Sequence, residues 1–266
     1  MAMYEKDLFL TDDSIIINRI IREYDMSKAN INILLYKGLI TQDQFDKYYN
    51  IPKGLRERTI GTLQRDYPKI NQGLKDGFVE ARKMLFESNN LNESNVVAVK
   101  KDAVFTLDKY LEYNQFKNLV FLNKNTYSSF IQAYKLELYY SKFTDSIDVK
   151  GIGELSIVKH QNFMIDFLCY LFNILETTSL NNTIIILKEF LESYRNGELE
   201  LGYYREFNNR SEFCTRYKIG GQNMYIQDIG MQDSEVSSSY VLNKLDISYN
   251  YLLLSEVLRI LLSRYL

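Results

Sequence analysis

The chain has 266 residues, 46% of them hydrophobic and 25% charged, with a formal net charge of −2 at neutral pH. That composition excludes wholesale disorder and leaves room for one large core or two modest ones. It also lacks the basic field of a non-specific nucleic-acid binder, so any contact with nucleic acid must come from a local basic groove.

The first seven residues, Met-Ala-Met-Tyr-Glu-Lys-Asp, are charged where a signal peptide would have its apolar core, and the expectation is a cytoplasmic chain. Residues 15–24 are β-branched and partly alternating and predict a strand that runs into Asp25. Ser27 is placed to cap a helix over 28–37, stopped by Gly38. Thr41 and Gln44 form a capping box for a second helix that ends near Asn50, ahead of Pro52. Pro52 suits the first position of a third helix, through about Gln64. Pro68 starts a fourth, with Ile70, Leu74, Phe78, Ala81 and Leu85 recurring at helical spacing on one face.

The texture then changes. Residues 95–99 and 103–107 read as a strand pair around Lys100-Lys101-Asp102, followed by extended segments near 118–123, 134–140 and 147–152. Two apolar helices are expected over 161–176 and 183–195, with Phe163, Phe167, Tyr170, Leu171 and Ile174 as a core stripe. Short strands follow near 198–207, 213–219 and 223–229, then a polar loop over 230–239 and a last helix over 248–264. That final apolar run contains Glu256, Arg259 and Arg264, too short and too charged to span a bilayer, so no membrane partner is expected. The order predicts an α+β fold divided at about residue 155, with helices and strands in blocks. Cys169 and Cys214 belong to no C-x-x-C motif, and with His160 the only histidine neither structural zinc nor a disulfide framework is indicated. Gly220-Gly221 and the glycines at 151 and 153 are turns without the strand–loop–helix setting of a nucleotide cradle.

Chemistry-bearing residues fall in a suggestive order: a strand ending at Asp25, a helix start with Lys53, Arg56 and Arg58, a long amphipathic helix, and a strand turn carrying Asp102. Each has a plain alternative. Asp25 also suits the start of a helix, where the dipole favours an acid, and Asp102 a simple turn. The cations at 53, 56 and 58 can equally be a solvated face, and not all three can point at one ligand.

At these positions the chain resembles family B DNA polymerases in a reduced form, over about residues 15–178. The family's first motif, D-x-x-S-L-Y-P-S-I, is similar to residues 25–33, where the Asp and the final Ile are kept. Its second, K-x-x-x-N-S-x-Y-G, looks like residues 53–61, keeping Lys53 and Gly61. Its third, the D-T-D-S turn, looks like residues 100–103, with Asp102 at the second acid and Lys100 at the first. Ile147 to Ile152 is similar to the family's K-G-I segment.

The resemblance implies a polymerase palm-like antiparallel sheet, short helical fingers and a thumb-like C-terminal half. It implies a metal-dependent nucleotidyltransferase that adds nucleotides to a primer 3′-hydroxyl, with two Mg²⁺ ions on Asp25 and Asp102. Lys53, Arg56 and Asn30 would meet the nucleoside triphosphate, and Lys101, Lys135 and Tyr139 the primer–template, with protein partners in a replication complex. Asn30 stands where the family has an aromatic residue against ribonucleotides, and the second motif's Asn and Tyr are absent. Two other readings stay open: a non-catalytic polymerase-like nucleic-acid-binding or accessory subunit, and a structural or interaction protein whose motif matches are accidental.

Overall fold

The computed structural model describes residues 2–133, 136–150, 161–196, 198, 205–207, 213–219 and 222–227. The fold is α+β, and the chain divides into two compact units. One comprises Met1–Asp12 and Arg19–Tyr127, the other Asp13–Asn18 and Ser128–Leu266. The division expected at 155 therefore falls inside the span of the second unit.

The first unit is built on an antiparallel sheet of six strands: β1 (Leu8–Leu10), β3 (Ile21–Met26), β4 (Val96–Lys100), β5 (Ala103–Leu107), β6 (Gln115–Phe116) and β7 (Leu119–Tyr127), ordered β1-β4-β5-β3-β7-β6. Between β3 and β4 run four helices: α1 (Ala29–Tyr36), α2 (Gln42–Tyr49), α3 (Lys53–Asp66) and α4 (Pro68–Asn89). The strand expected over 15–24 is two strands. Asn18 takes a left-handed conformation at φ 55°, and β2 (Ile15–Ile16) pairs in the other unit's sheet.

The helix stripe read from spacing is the core of this unit. Leu74, Phe78, Ala81 and Leu85 of α4 pack with Ile31 and Leu34 of α1, Tyr24 and Met26 of β3, Val104 of β5 and Phe121 of β7. Alternation along β3 sends Tyr24 and Met26 into that core and Asp25 to the opposite face. The Thr41–Gln44 capping box forms: the Gln44 N–H donates to Thr41 Oγ1 at 3.3 Å and the Thr41 N–H to Gln44 Oε1 at 2.9 Å. Ser27 does not cap α1. The N-cap is Lys28, in the left-handed region at φ 43° with no side-chain cap, and Asn32 Nδ2 donates to the Ser27 carbonyl at 2.7 Å.

The second unit has a four-stranded antiparallel sheet, β10 (Ser146–Lys150), β9 (Leu136–Ser141), β8 (Ser129–Ala133) and β2, and a three-stranded one, β11 (Arg205–Phe207), β12 (Phe213–Ile219) and β13 (Gln222–Gln227). Helices α5 (Gln161–Thr177) and α6 (Leu180–Asn196) complete it, joined at Thr178–Ser179. Its core joins Leu136, Leu138 and Tyr140 to Phe167, Leu168, Leu171, Phe172 and Leu175. Tyr170, expected in that stripe, is 58% exposed because the buried face runs through 167, 168, 171, 172 and 175 and passes it by. The expected loop over 230–239 and helix over 248–264 lie outside the described residues. Among the described residues no helix is long and apolar enough to cross a membrane.

Candidate metal centre beside β3 and the β4–β5 turn

Asp25 and Asp102 lie on neighbouring strands. In the β3–β5 pairing Asp25 stands opposite Ala103, the residue after Asp102. One position on, the Met26 N–H donates to the Asp102 carbonyl at 3.0 Å. This bond ties the end of β3 to the turn between β4 and β5. The turn itself is tight, with Lys101 at φ 43°.

Burial, first, and then the negative charge of Asp25 hold the Asp102 carboxyl above the usual carboxylate range. Its own backbone N–H and Lys101 act the other way, and Glu57 adds to the upward push. Both neighbouring acids thus act on Asp102 in the same direction as burial. Glu57 belongs to α3, and its Oε2 accepts from Asn30 Nδ2 of α1 at 3.0 Å. Among the described residues one cation pairs with Asp25. Lys124 Nζ, from the irregular stretch where β7 passes the Glu23/Tyr24 bulge, lies 3.5 Å from Asp25 Oδ2.

Asn30 is tethered to Glu57, and Lys53 is exposed at the first turn of α3, one helical turn before Glu57 and on the same side of that helix. Lys101 is exposed, its ammonium 4.8 Å from the centre of the Phe78 ring. Arg56 is otherwise engaged: it is 6% exposed and its Nη1 donates to the Ile51 carbonyl at 3.2 Å, bracing the entry to α3. Tyr139 belongs to the other unit. Its ring is 0% exposed against Phe130, and its hydroxyl donates to Glu137 Oε2 at 2.8 Å, so the expected contact with nucleic acid is corrected to a core position. Lys135 lies outside the described residues. Glu57 and Lys124 were not expected. Glu57 sits four residues after Lys53, a spacing that gives a shared helix face, whereas Lys124 is brought in by a strand irregularity that no local pattern announces.

Hard divalent cations take oxygen ligands, and Mg²⁺ in particular binds through one or two carboxylates plus substrate phosphates rather than an all-protein cage. The donor set fits that description. Asp25 and Asp102 supply two carboxylates, and the described residues contain no cluster of three or more histidine, cysteine or acidic side chains arranged to enclose a metal.

Residues 1–263 match the model of the family described as Bacteriophage PBS1 gene 130 protein. The chain matches no curated protein.

Proposed function

We propose that this chain, which belongs to the bacteriophage PBS1 gene 130 protein family, is a palm-type nucleotidyltransferase that extends a primer 3′-hydroxyl with nucleoside triphosphates. The observation that carries this reading is the Met26 N–H to Asp102 carbonyl bond, 3.0 Å, which brings the backbones of two acids from distant parts of the sequence together at the end of the two central strands of one sheet. The resemblance to family B DNA polymerases predicts that adjacency, with one acid ending a strand and the other on a neighbouring hairpin turn.

Phosphoryl transfer asks little covalent chemistry of the protein; positioning and charge neutralisation carry most of it. Asp25 and Asp102 would hold two Mg²⁺ ions, which when bound acidify the attacking hydroxyl and offset charge on the departing pyrophosphate. Lys53 is exposed on the Glu57 side of α3 and would steady the triphosphate. Lys124 would exchange its carboxylate partner for a phosphate oxygen as the substrate arrives. Protein partners in a replication complex would recruit the chain to its primer–template.

Primer extension with the wild type, Asp25→Asn and Asp102→Asn tests this. The expected outcome is Mg²⁺-dependent addition by the wild type and a loss of at least about 100-fold in each variant, since even groups behind a metal ligand cost about 10–100-fold. A folded wild type that adds no nucleotide, or variants that extend as well as it does, would refute it. The Lys124 ion pair supports a second reading, a primer–template-binding subunit without turnover, because part of the Asp25 charge is already neutralised. Salt-dependent binding with no extension would favour that one.

A further inference from the structure

We propose that Arg82 of α4, acting with the N-terminal segment Tyr4–Asp7, is a positioning residue that fixes the peptide plane of the turn carrying Asp102. The proposal rests on the reading of Asp102 as a working carboxylate.

Arg82 is 0% exposed, and its guanidinium bonds three acceptors around that turn. Nε donates to the Tyr4 carbonyl at 2.8 Å, Nη1 to the Lys101 carbonyl, and Nη2 to Asp7 Oδ1 at 3.1 Å. The Lys101 N–H closes the arrangement by donating to the Asp7 carbonyl at 2.8 Å. Lys101 is thus gripped at both its N–H and its carbonyl, which sustains a left-handed conformation that a residue with a side chain disfavours.

The consequence reaches Asp102 through covalent geometry. The carbonyl that Arg82 holds and the Asp102 N–H belong to one planar trans peptide and point in opposite directions. Fixing the first therefore aims the second. On the far side the Met26 N–H holds the Asp102 carbonyl. The residue is clamped before and after its Cα, so the direction in which its side chain leaves the backbone is fixed. A buried guanidinium is a costly way to pack a helix on a sheet, because an apolar side chain of similar size does so without desolvating a charge. Its planar fork, however, can reach three acceptors from three segments at once, which a lysine cannot.

Amide hydrogen exchange on the full chain tests the clamp, with Arg82→Lys compared with the wild type. The Met26 amide is expected to exchange at least about fivefold faster, the scale of one hydrogen bond, while amides in the middle of β5 keep their rates. In primer extension the same variant is expected to lose at least about tenfold in kcat with nucleotide KM changed by less than about twofold, the signature of a group acting only on the transition state. If Arg82→Lys fails to fold, Asp7→Ala serves, since that carboxylate is 74% exposed. Its Met26 amide is expected to exchange at least about threefold faster. Unchanged Met26 exchange in a folded variant overturns the clamp even if the wild type extends primers. Faster Met26 exchange in a protein that never extends them upholds the clamp and removes the proposed activity instead.

Discussion

At Asp102 burial acts first against ionisation, and the charges of Asp25 and Glu57 act in the same direction. The native state therefore holds a proton on this carboxyl at pH values where the unfolded chain has released it. The stability this residue contributes is present below the usual carboxylate range and is lost as pH rises through the elevated folded value. Wherever Asp102 is ionised in the native state, its charge is a destabilising one. Asp102→Asn in metal-free buffer at pH 7 is accordingly expected to raise Tm by about 2–4 °C, the shift that a gain of about 1 kcal/mol produces in a chain of this size. Repeating the melts at falling pH should shrink the difference until it vanishes once the wild-type carboxyl is protonated in both states. A Tm that falls at pH 7, or a difference that grows toward acid, would mean that the carboxylate is stabilised where it sits.

The elements that place this acid depend on the close approach of α1 and α4. A Cβ added at Gly77 would lie 2.2 Å from Ile33 Cγ2, and one added at Gly73 would lie 2.4 Å from Leu39 Cδ1. Ile33 is fully buried and cannot swing away. Glycine to alanine in a helix interior ordinarily gains up to about 1 kcal/mol. Gly77→Ala is instead expected to lose about 1–3 kcal/mol to overpacking, read as a lower urea midpoint with an unchanged slope. The helices of this unit were legible because their signals are local: the Thr41–Gln44 box, the two prolines at helix starts and the apolar spacing along α4 each depend on residues within a few turns. The Ser27 cap was misread because the chain leaves β3 through a left-handed Lys28, a conformation that side-chain identity does not announce. The break at Asn18 failed for the same reason, splitting an apparently continuous strand between two sheets.

Over the whole molecule, what the sequence conveyed of the site follows the same division. Asp25 and Asp102 could be named because each sits at a recognisable strand end or turn, and the pairing of β3 with β5 sets their backbones side by side. Glu57 shares a helix face with Lys53, but Lys124 arrives through a strand bulge and Arg82 of α4 finds its acceptors in the distant N-terminal segment, and neither placement has a local pattern. Two positions expected as ligand contacts, Arg56 and Tyr139, are buried and bonded inside the protein, to the Ile51 carbonyl and to Glu137. Composition alone cannot separate such interior partners from a bound phosphate. The account as a whole stands on Asp25 and Asp102 holding divalent cations jointly. Titration of the metal-free protein with Mn²⁺, followed by the electron paramagnetic resonance signal of the free ion, examines this without requiring turnover. The wild type is predicted to take up Mn²⁺ more tightly when a nucleoside triphosphate is present, with affinity weakened at least about tenfold in both Asp25→Asn and Asp102→Asn. Equal uptake by all three proteins, or none by the wild type with or without the triphosphate, would contradict it.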